Sequence, residues 1–440
     1  MNIILLSGGS GRRLWPLSNE VRSKQFIKVF KSPSGEPESM VQRVYRQIVS
    51  QIPDADITIA SSKRQLSSIK NQLGETVSIS PEPSRKDTFP AIVLALSYLT
   101  DVKGISPDEP VIICPVDPYV EADYFKALIT LEKMVSEKEG ICLLGIDPTF
   151  PTAKYGYIIP EDKEKISTVS YFKEKPSESD ARKLIEKGAL WNAGVFGVRA
   201  GYILKIAEDL IGYKGYGDLL SRYDSLEGIS FDFAVLEKEK NIRVLRFSGE
   251  WKDVGTWNTM AETMDSESFG NVVFGGECVN TSAVNDLDVP VICMGLKDVI
   301  VAAGPDGILV SDKHQSSYIK PVVDKVSGDV RYSEKSWGSF KVIDSTEKSL
   351  TIKVTLLPGH HMYYHSHDRR DEVWTVVEGE GTSVVDGIKR DVKPGDVIDL
   401  PAGCKHTIIA KTRLELIEVQ TGSDISVGDK IKYEYDFEEK

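Results

Sequence analysis

The chain has 440 residues, 41% hydrophobic and 27% charged, with 54 basic and 66 acidic side chains and a formal charge of -12. This length predicts two to four domains, and the composition excludes a disordered chain, a collagen-like chain and a mini-protein. The acidity is spread evenly (38 basic and 46 acidic residues before Val330, 16 and 20 from there on), which argues against nucleic acid or an anionic membrane as a partner.

The first 265 residues alternate between strand and helix patterns. Ile3 to Leu6 is a short apolar run ending in glycines, which reads as a buried strand rather than a targeting signal. Met40, Val41, Val44, Tyr45 and Ile48 recur at helical spacing, and Ile57–Ala60 and Val77–Ile79 read as strands. Pro90 to Leu99 predicts an apolar helix, and Val111–Cys114 and Ile141–Leu144 predict buried strands. Strands separated by helices imply a mostly parallel, Rossmann-like α/β sheet, which binds ligands beyond the carboxyl ends of its strands. The longest apolar stretch, Ala91–Leu99, is too short to span a bilayer.

The texture changes near Asp265. Residues 270–323 carry short β-type runs with glycine turns and little helix signal, predicting a small β-rich connector at 266–325. A polar join, Asp324 to Ser336, follows. From Trp337 onward short alternating strands predict an all-β sandwich or barrel. The domain expectation is 1–265, 266–325 and 330–440. The five cysteines are dispersed, odd in number and free of CxxC pairs, which fits free thiols in the cytoplasm.

Ser7-Gly8-Gly9-Ser10-Gly11-Arg12-Arg13-Leu14-Trp15-Pro16-Leu17-Ser18 follows the first strand directly. Glycines let the backbone approach a polyphosphate, and exposed N–H groups bind its oxygens. Arg13 can neutralise phosphate charge, and Lys24 follows in Ser23-Lys24-Gln25-Phe26. The string is neither a Walker loop nor a dinucleotide fingerprint. It resembles the signature of sugar-1-phosphate nucleotidyltransferases, and its Trp-Pro-Leu-Ser ending and Gln25-Phe26 resemble the mannose-1-phosphate guanylyltransferase branch. Glu82-Pro83-Ser84-Arg85-Lys86-Asp87-Thr88-Phe89-Pro90 resembles the family's nucleotide-contacting helix start, with Asp87 and Phe89 in place of the common Asn and Ala. Cys114-Pro115-Val116-Asp117-Pro118 resembles a Pro-x-Asp-His segment, with Pro118 in place of His. Tyr155-Gly156-Tyr157-Ile158, Phe172-Lys173-Glu174-Lys175-Pro176, Trp191-Asn192-Ala193-Gly194 and Asp253-Val254-Gly255-Thr256-Trp257 resemble its sugar-side motifs.

The resemblance implies GTP and mannose 1-phosphate as substrates, with Mg²⁺ held by Asp117 and Asp253. Arg13 and Lys24 would brace the triphosphate, with Ser7, Gly8, Gly9, Gly11, Arg12, Arg85 and Asp87 around the nucleotide. Tyr155, Gly156, Glu174, Lys175, Asn192 and Asp232 would surround the sugar phosphate. Transfer to an α-phosphorus needs positioning and charge neutralisation more than covalent catalysis, which suits this set.

Five of the six histidines lie beyond Val330. Gly359, His365-Ser366-His367, Glu372, Gly379, Gly395, Pro401-Ala402-Gly403 and His406 have spacing that resembles both motifs of the cupin barrel. On a strand His365 and His367 share a face, and with Glu372 and His406 they make a three-His, one-carboxylate set suited to a divalent transition metal such as Zn, Mn, Co, Ni or Fe. His360 and His361 fall outside the pattern. A cupin after this transferase resembles the bifunctional mannose-6-phosphate isomerase/mannose-1-phosphate guanylyltransferases, which adds mannose 6-phosphate and fructose 6-phosphate as substrates. Two inserted residues, with Val373, Thr407 and Ala410 in place of His, Arg and Asn, depart from that isomerase pattern. Isomerisation and a non-catalytic, regulatory cupin both remain open, as does a homodimer.

Overall fold

The computed structural model describes residues 1–9, 12–19, 21–326 and 328–437. Its largest element is a nine-stranded sheet. Strand Asn2–Ser7 lies at the centre of the parallel half, paired with Asp56–Ser62 on one side and Pro110–Pro115 on the other, and Ser78–Glu82 extends the edge. Leu190–Arg199 runs antiparallel between Pro110–Pro115 and Ile141–Ile146. The sheet is therefore mixed beyond its parallel half.

Strand alternation divides the core between the two faces. Ile3 and Leu5 join the cluster of Val41, Val44 and Leu128, whereas Ile4 joins that of Ile92, Val93 and Leu96. Helix Met40–Gln51 starts with a reciprocal cap in which Ser39 and Gln42 each bond the other's backbone N–H. Helix Thr88–Asp101 is apolar almost all round because it is buried almost all round. The chain leaves Asn2–Ser7 and Pro110–Pro115 at neighbouring carboxyl ends, the crevice where such sheets bind ligands.

After helix Trp257–Thr263, the strands Ser268–Phe269, Ser282–Asn285 and Val299–Gly304 stack in parallel, and Val272–Gly275 pairs in parallel with Val291–Met294. These are the rungs of a short β-helix-like coil. Its turn at Gly270 needs glycine: φ is +80°, and a Cβ would lie 1.9 Å from the Asn285 carbonyl oxygen. The segment ends in a helix, Lys320–Val326, that its composition did not announce.

The polar stretch 324–336 is not a free linker. Strand Tyr332–Lys335 buries Ser333 and Glu334 against the first domain. Glu334 accepts a hydrogen bond from Gln72 at 2.6 Å and pairs with Lys28 at 3.4 Å, while the Asn71 amide donates to the Lys335 and Gly338 carbonyls. Its polarity satisfies buried partners rather than solvent. Beyond it, six- and five-stranded antiparallel sheets face each other around Val354, Trp374, Ile408 and Leu416.

Candidate functional site

Lys24 opens a short 3₁₀ turn, Lys24–Phe26, below the glycine loop. Its ammonium lies 2.5 Å from Asp117 Oδ2 and 3.6 Å from Asp253 Oδ1. A two-stranded ribbon creates this meeting. Trp251–Asp253 pairs with Pro118–Val120, and its register sets Asp253 opposite Pro118, next to Asp117. Burial alone would lower the Lys24 pKa, but Asp117 and Asp253 outweigh it and raise the group. Burial raises Asp253, with Lys24 opposing. Two carboxylates facing one crevice are the hard oxygen donors that Mg²⁺ takes alongside substrate phosphates.

Gly8 and Gly9 are exposed, Gly9 at φ +104°, and Arg13 is exposed beside them. Gly11, assigned to the nucleotide, lies outside the described residues. The Gly9 carbonyl is fixed by the Ser23 hydroxyl at 3.1 Å and by Arg85 at 3.2 Å. Ser7 is buried and its hydroxyl accepts from Gln25 at 3.0 Å. Arg12 pairs with Asp324 at 2.7 Å. Asp87, at φ 67°, accepts from the Thr88 N–H and so caps its helix.

The sugar-side residues also converge. Asn192 donates to Asp232 at 2.7 Å, its N–H donates to the Gly156 carbonyl, and Lys175 pairs with the buried Glu174 at 2.5 Å. Burial, then the Glu174 charge, pushes Asp232 up to about 6. Tyr155 joins the two groups. Its ring packs edge-on against Trp191 and Trp251, and burial followed by the charges of Asp253 and Asp117 raises its hydroxyl. Ser23 and Gln25, quoted in the Ser23-Lys24-Gln25-Phe26 string without a role of their own, and Gln65, which sequence reasoning missed, hold the loop from below; Gln65 donates to Ser23 at 2.6 Å. Gln65 is a buried polar residue outside any quoted motif, so no pattern marks it.

In the C-terminal barrel, strand pairing sets His365 opposite His406. The ligand atoms of His365, His367, Glu372 and His406 all lie within 4.8 Å of one another, and all four residues are buried. Each imidazole Nδ1 donates to a backbone carbonyl (Tyr363, Asp429 and Cys404, respectively), which fixes the ring and turns Nε2 into the cage. His406 Nε2 is buried and makes no hydrogen bond among the described residues. Burial, with Lys430 next, pushes His365 down to about 2 and keeps it neutral. Burial opposes ionisation of Glu372, but His367 and His406 outweigh it and hold the carboxyl below its usual range. The Nε2 atoms of His367 and His406 lie 3.0 and 3.4 Å from the Glu372 carboxylate, so nitrogen and oxygen donors converge on one buried point. The donor set thus fits a metal. Arg370 supports it, donating to Glu372 at 3.0 Å. Glu418, missed by sequence reasoning, is buried nearby and pushed up to about 8 by burial and then by Glu372.

The departures from the isomerase pattern lie off this cage. Strand alternation turns Glu372 and Trp374 inward and Val373 outward. The Thr407 hydroxyl donates to the Met362 carbonyl, and Ala410 packs in the barrel core. The inserted Asp368 and Arg369 form a turn whose N–H groups bond Asp429. His360 and His361 lie outside the cage, His361 stacked on Phe437.

The family model for nucleotidyl transferase matches residues 2–268. The chain belongs to the nucleotidyl transferase family. The cupin domain model matches residues 352–420 of this transferase, which therefore ends in a cupin-type all-β domain. A Vibrio cholerae protein named putative mannose-1-phosphate guanylyltransferase is 28% identical to the transferase, covering 98% of this chain and 99% of that one. The Escherichia coli mannose-1-phosphate guanylyltransferase is 27% identical, covering 98% and 97%. A crystal structure from Thermus thermophilus, named mannose-1-phosphate geranyltransferase, superimposes with a TM-score of 0.61 at 26% identity, over 74% of this chain and 98% of that one. Among the described residues of the transferase, no helix is long and apolar enough to cross a membrane.

Proposed function

We propose that the transferase joins GTP to mannose 1-phosphate, giving GDP-mannose and pyrophosphate. The observation that carries this reading is the Lys24 ammonium set against Asp117 and Asp253 beside the glycine loop, with Tyr155 leading to the Asn192–Asp232 and Glu174–Lys175 pairs. In this reading a phosphate oxygen of mannose 1-phosphate attacks the α-phosphorus of GTP in line, and pyrophosphate leaves from the opposite side. Arg13 and Lys24 neutralise the triphosphate, while the Gly8 and Gly9 backbone lets it approach. Lys175, aimed by Glu174, holds the sugar phosphate, and Asn192 and Asp232 orient the hexose hydroxyls. Asp117 and Asp253 would hold Mg²⁺, which supplies charge neutralisation at the phosphates. Relatives named mannose-1-phosphate guanylyltransferase over nearly the whole chain support the choice of substrates.

The units 1–265, 266–325 and 330–440 carry this division of labour, and five free cysteines suit a cytoplasmic enzyme. For the cupin, the intact cage favours mannose 6-phosphate/fructose 6-phosphate isomerisation over a purely regulatory role, since the sequence departures avoid it. His365, His367, Glu372 and His406 would hold a divalent transition metal, which supplies carbonyl polarisation when bound.

A screen of nucleoside triphosphates against hexose 1-phosphates, read by pyrophosphate release, tests the transfer. The expected best pair is GTP with mannose 1-phosphate, and preference for another base or sugar would overturn the substrate assignment. Conversion of fructose 6-phosphate by protein loaded with Mn²⁺, Co²⁺ or Zn²⁺ tests the cupin. Loaded protein without turnover would leave the regulatory role.

A further inference from the structure

The signature loop is held from behind by the segment to which the sequence assigns no chemistry. Three of its carboxylates each take one side chain of residues 12–22. Arg12 pairs with Asp324 at 2.7 Å, Asn19 donates to Asp306 at 2.8 Å, and Arg22 pairs with Asp286 at 2.7 Å. Arg22 is the central one. It is only 5% exposed, and its guanidinium lies over the Tyr332 ring at 4.8 Å, so it is gripped by the β-helical coil and by the first strand of the C-terminal part at once. The grip is rigid. Asp286 follows strand Ser282–Asn285 directly, and its N–H is bonded to the Ala303 carbonyl. Around it the surfaces are close-packed: a Cβ on Gly307 would lie 2.5 Å from the Trp15 ring, and one on Gly304 would lie 2.7 Å from Leu17.

Arg22 is two residues from Lys24. Between them Ser23 ties the same turn to the Gly9 carbonyl at 3.1 Å. Asn19 accepts from the N–H groups of Val21 and Arg22. The path from Asp286 to the Lys24 ammonium therefore runs through the buried Arg22 guanidinium and two residues of backbone tied to the loop.

We propose that Asp286 is a positioning residue for nucleotidyl transfer: acting through Arg22, with Tyr332 beneath it, Asp286 fixes Lys24 against Asp117 and Asp253. The connector is then a working part of the transferase. This rests on the reading of Lys24, Asp117 and Asp253 as the nucleotide end of the site. Misplacing such a group by about 1 Å costs on the order of 100-fold in rate.

The test compares the full-length wild type, Asp286→Ala and Asp286→Glu by pyrophosphate release, with kcat and separate KM values for GTP and mannose 1-phosphate, and the folded fraction from circular dichroism. The expected result for Asp286→Ala is a loss of roughly 10- to 100-fold in kcat/KM for GTP, with the mannose 1-phosphate KM held within about twofold and most of the loss recovered in Asp286→Glu. Folded Asp286→Ala with unchanged kinetics overturns the proposal. So does a loss that tracks the folded fraction with both KM values unchanged. If Asp286→Ala does not fold, Asp286→Asn, which keeps the side chain's shape and removes its charge, is read by the same criteria. A wild type inactive with every nucleotide overturns the functional reading and the brace with it, whereas an active wild type with an indifferent variant overturns the brace alone.

Discussion

Asp232 sits beside Glu174 and under Asn192, and its carboxyl is pushed from 3.8 up to about 6 by burial first and by Glu174 next. Such a group stabilises the fold fully below about pH 4, and that contribution is lost as pH rises through about 6, a cost of up to about 3 kcal/mol. Asp232→Asn keeps an oxygen for the Asn192 amide and cannot ionise. It should melt higher than the wild type at pH 8, with the gap closing towards pH 4, and should bind mannose 1-phosphate about 10-fold more weakly for want of a charged acceptor. An equal gap in melting temperature at both pH values would contradict the assignment. At this scale Lys24, Asp117 and Asp253 could be picked out because each stands in a recognisable motif, and the structure brings the three together. Gln65 was not, because a polar residue buried by tertiary contact leaves no mark in its own neighbourhood.

Elements built on apolar runs or regular recurrence were legible, as Val111–Cys114 and helix Thr88–Asp101 illustrate, whereas helix Lys320–Val326 was not. Pairing was not. The register that sets Asp253 opposite Pro118, and the alternation that turns Val373 out of the barrel, depend on partners distant in sequence. The stretch 324–336 reads as a polar join for the same reason, since the partners of its charges, Lys28 and Gln72, are remote in the chain. One tight approach carries a consequence for function. A Cβ on Gly156 would lie 2.5 Å from Phe172 and 2.6 Å from Glu174 Oε2. Gly156→Ala should therefore displace the Glu174 carboxylate and with it Lys175, raising the mannose 1-phosphate KM about 10-fold while the GTP KM changes little. A rise confined to GTP would show that this cluster serves the nucleotide instead.

Over the whole molecule, a chain of net charge -12 is read as binding two anions. The proposed function resolves this locally, by assigning Arg13, Lys24, Arg85 and Lys175 to the substrates while the remaining charge is dispersed along the sequence. The connector reaches the N-terminal domain through Asp286, Asp306 and Asp324, and the C-terminal part reaches the same domain through Tyr332 and Glu334. The central claim is that Asp117, Asp253 and Lys24 form the centre of GTP-dependent transfer to mannose 1-phosphate. Its most direct test is GDP-mannose formation from GTP and mannose 1-phosphate with Mg²⁺, wild type against Asp253→Ala, with folding verified for both. The account predicts product from the wild type and a loss on the order of 100-fold or more in the variant. Wild-type protein that forms no GDP-mannose, or an Asp253→Ala protein that forms it at full rate, would contradict it.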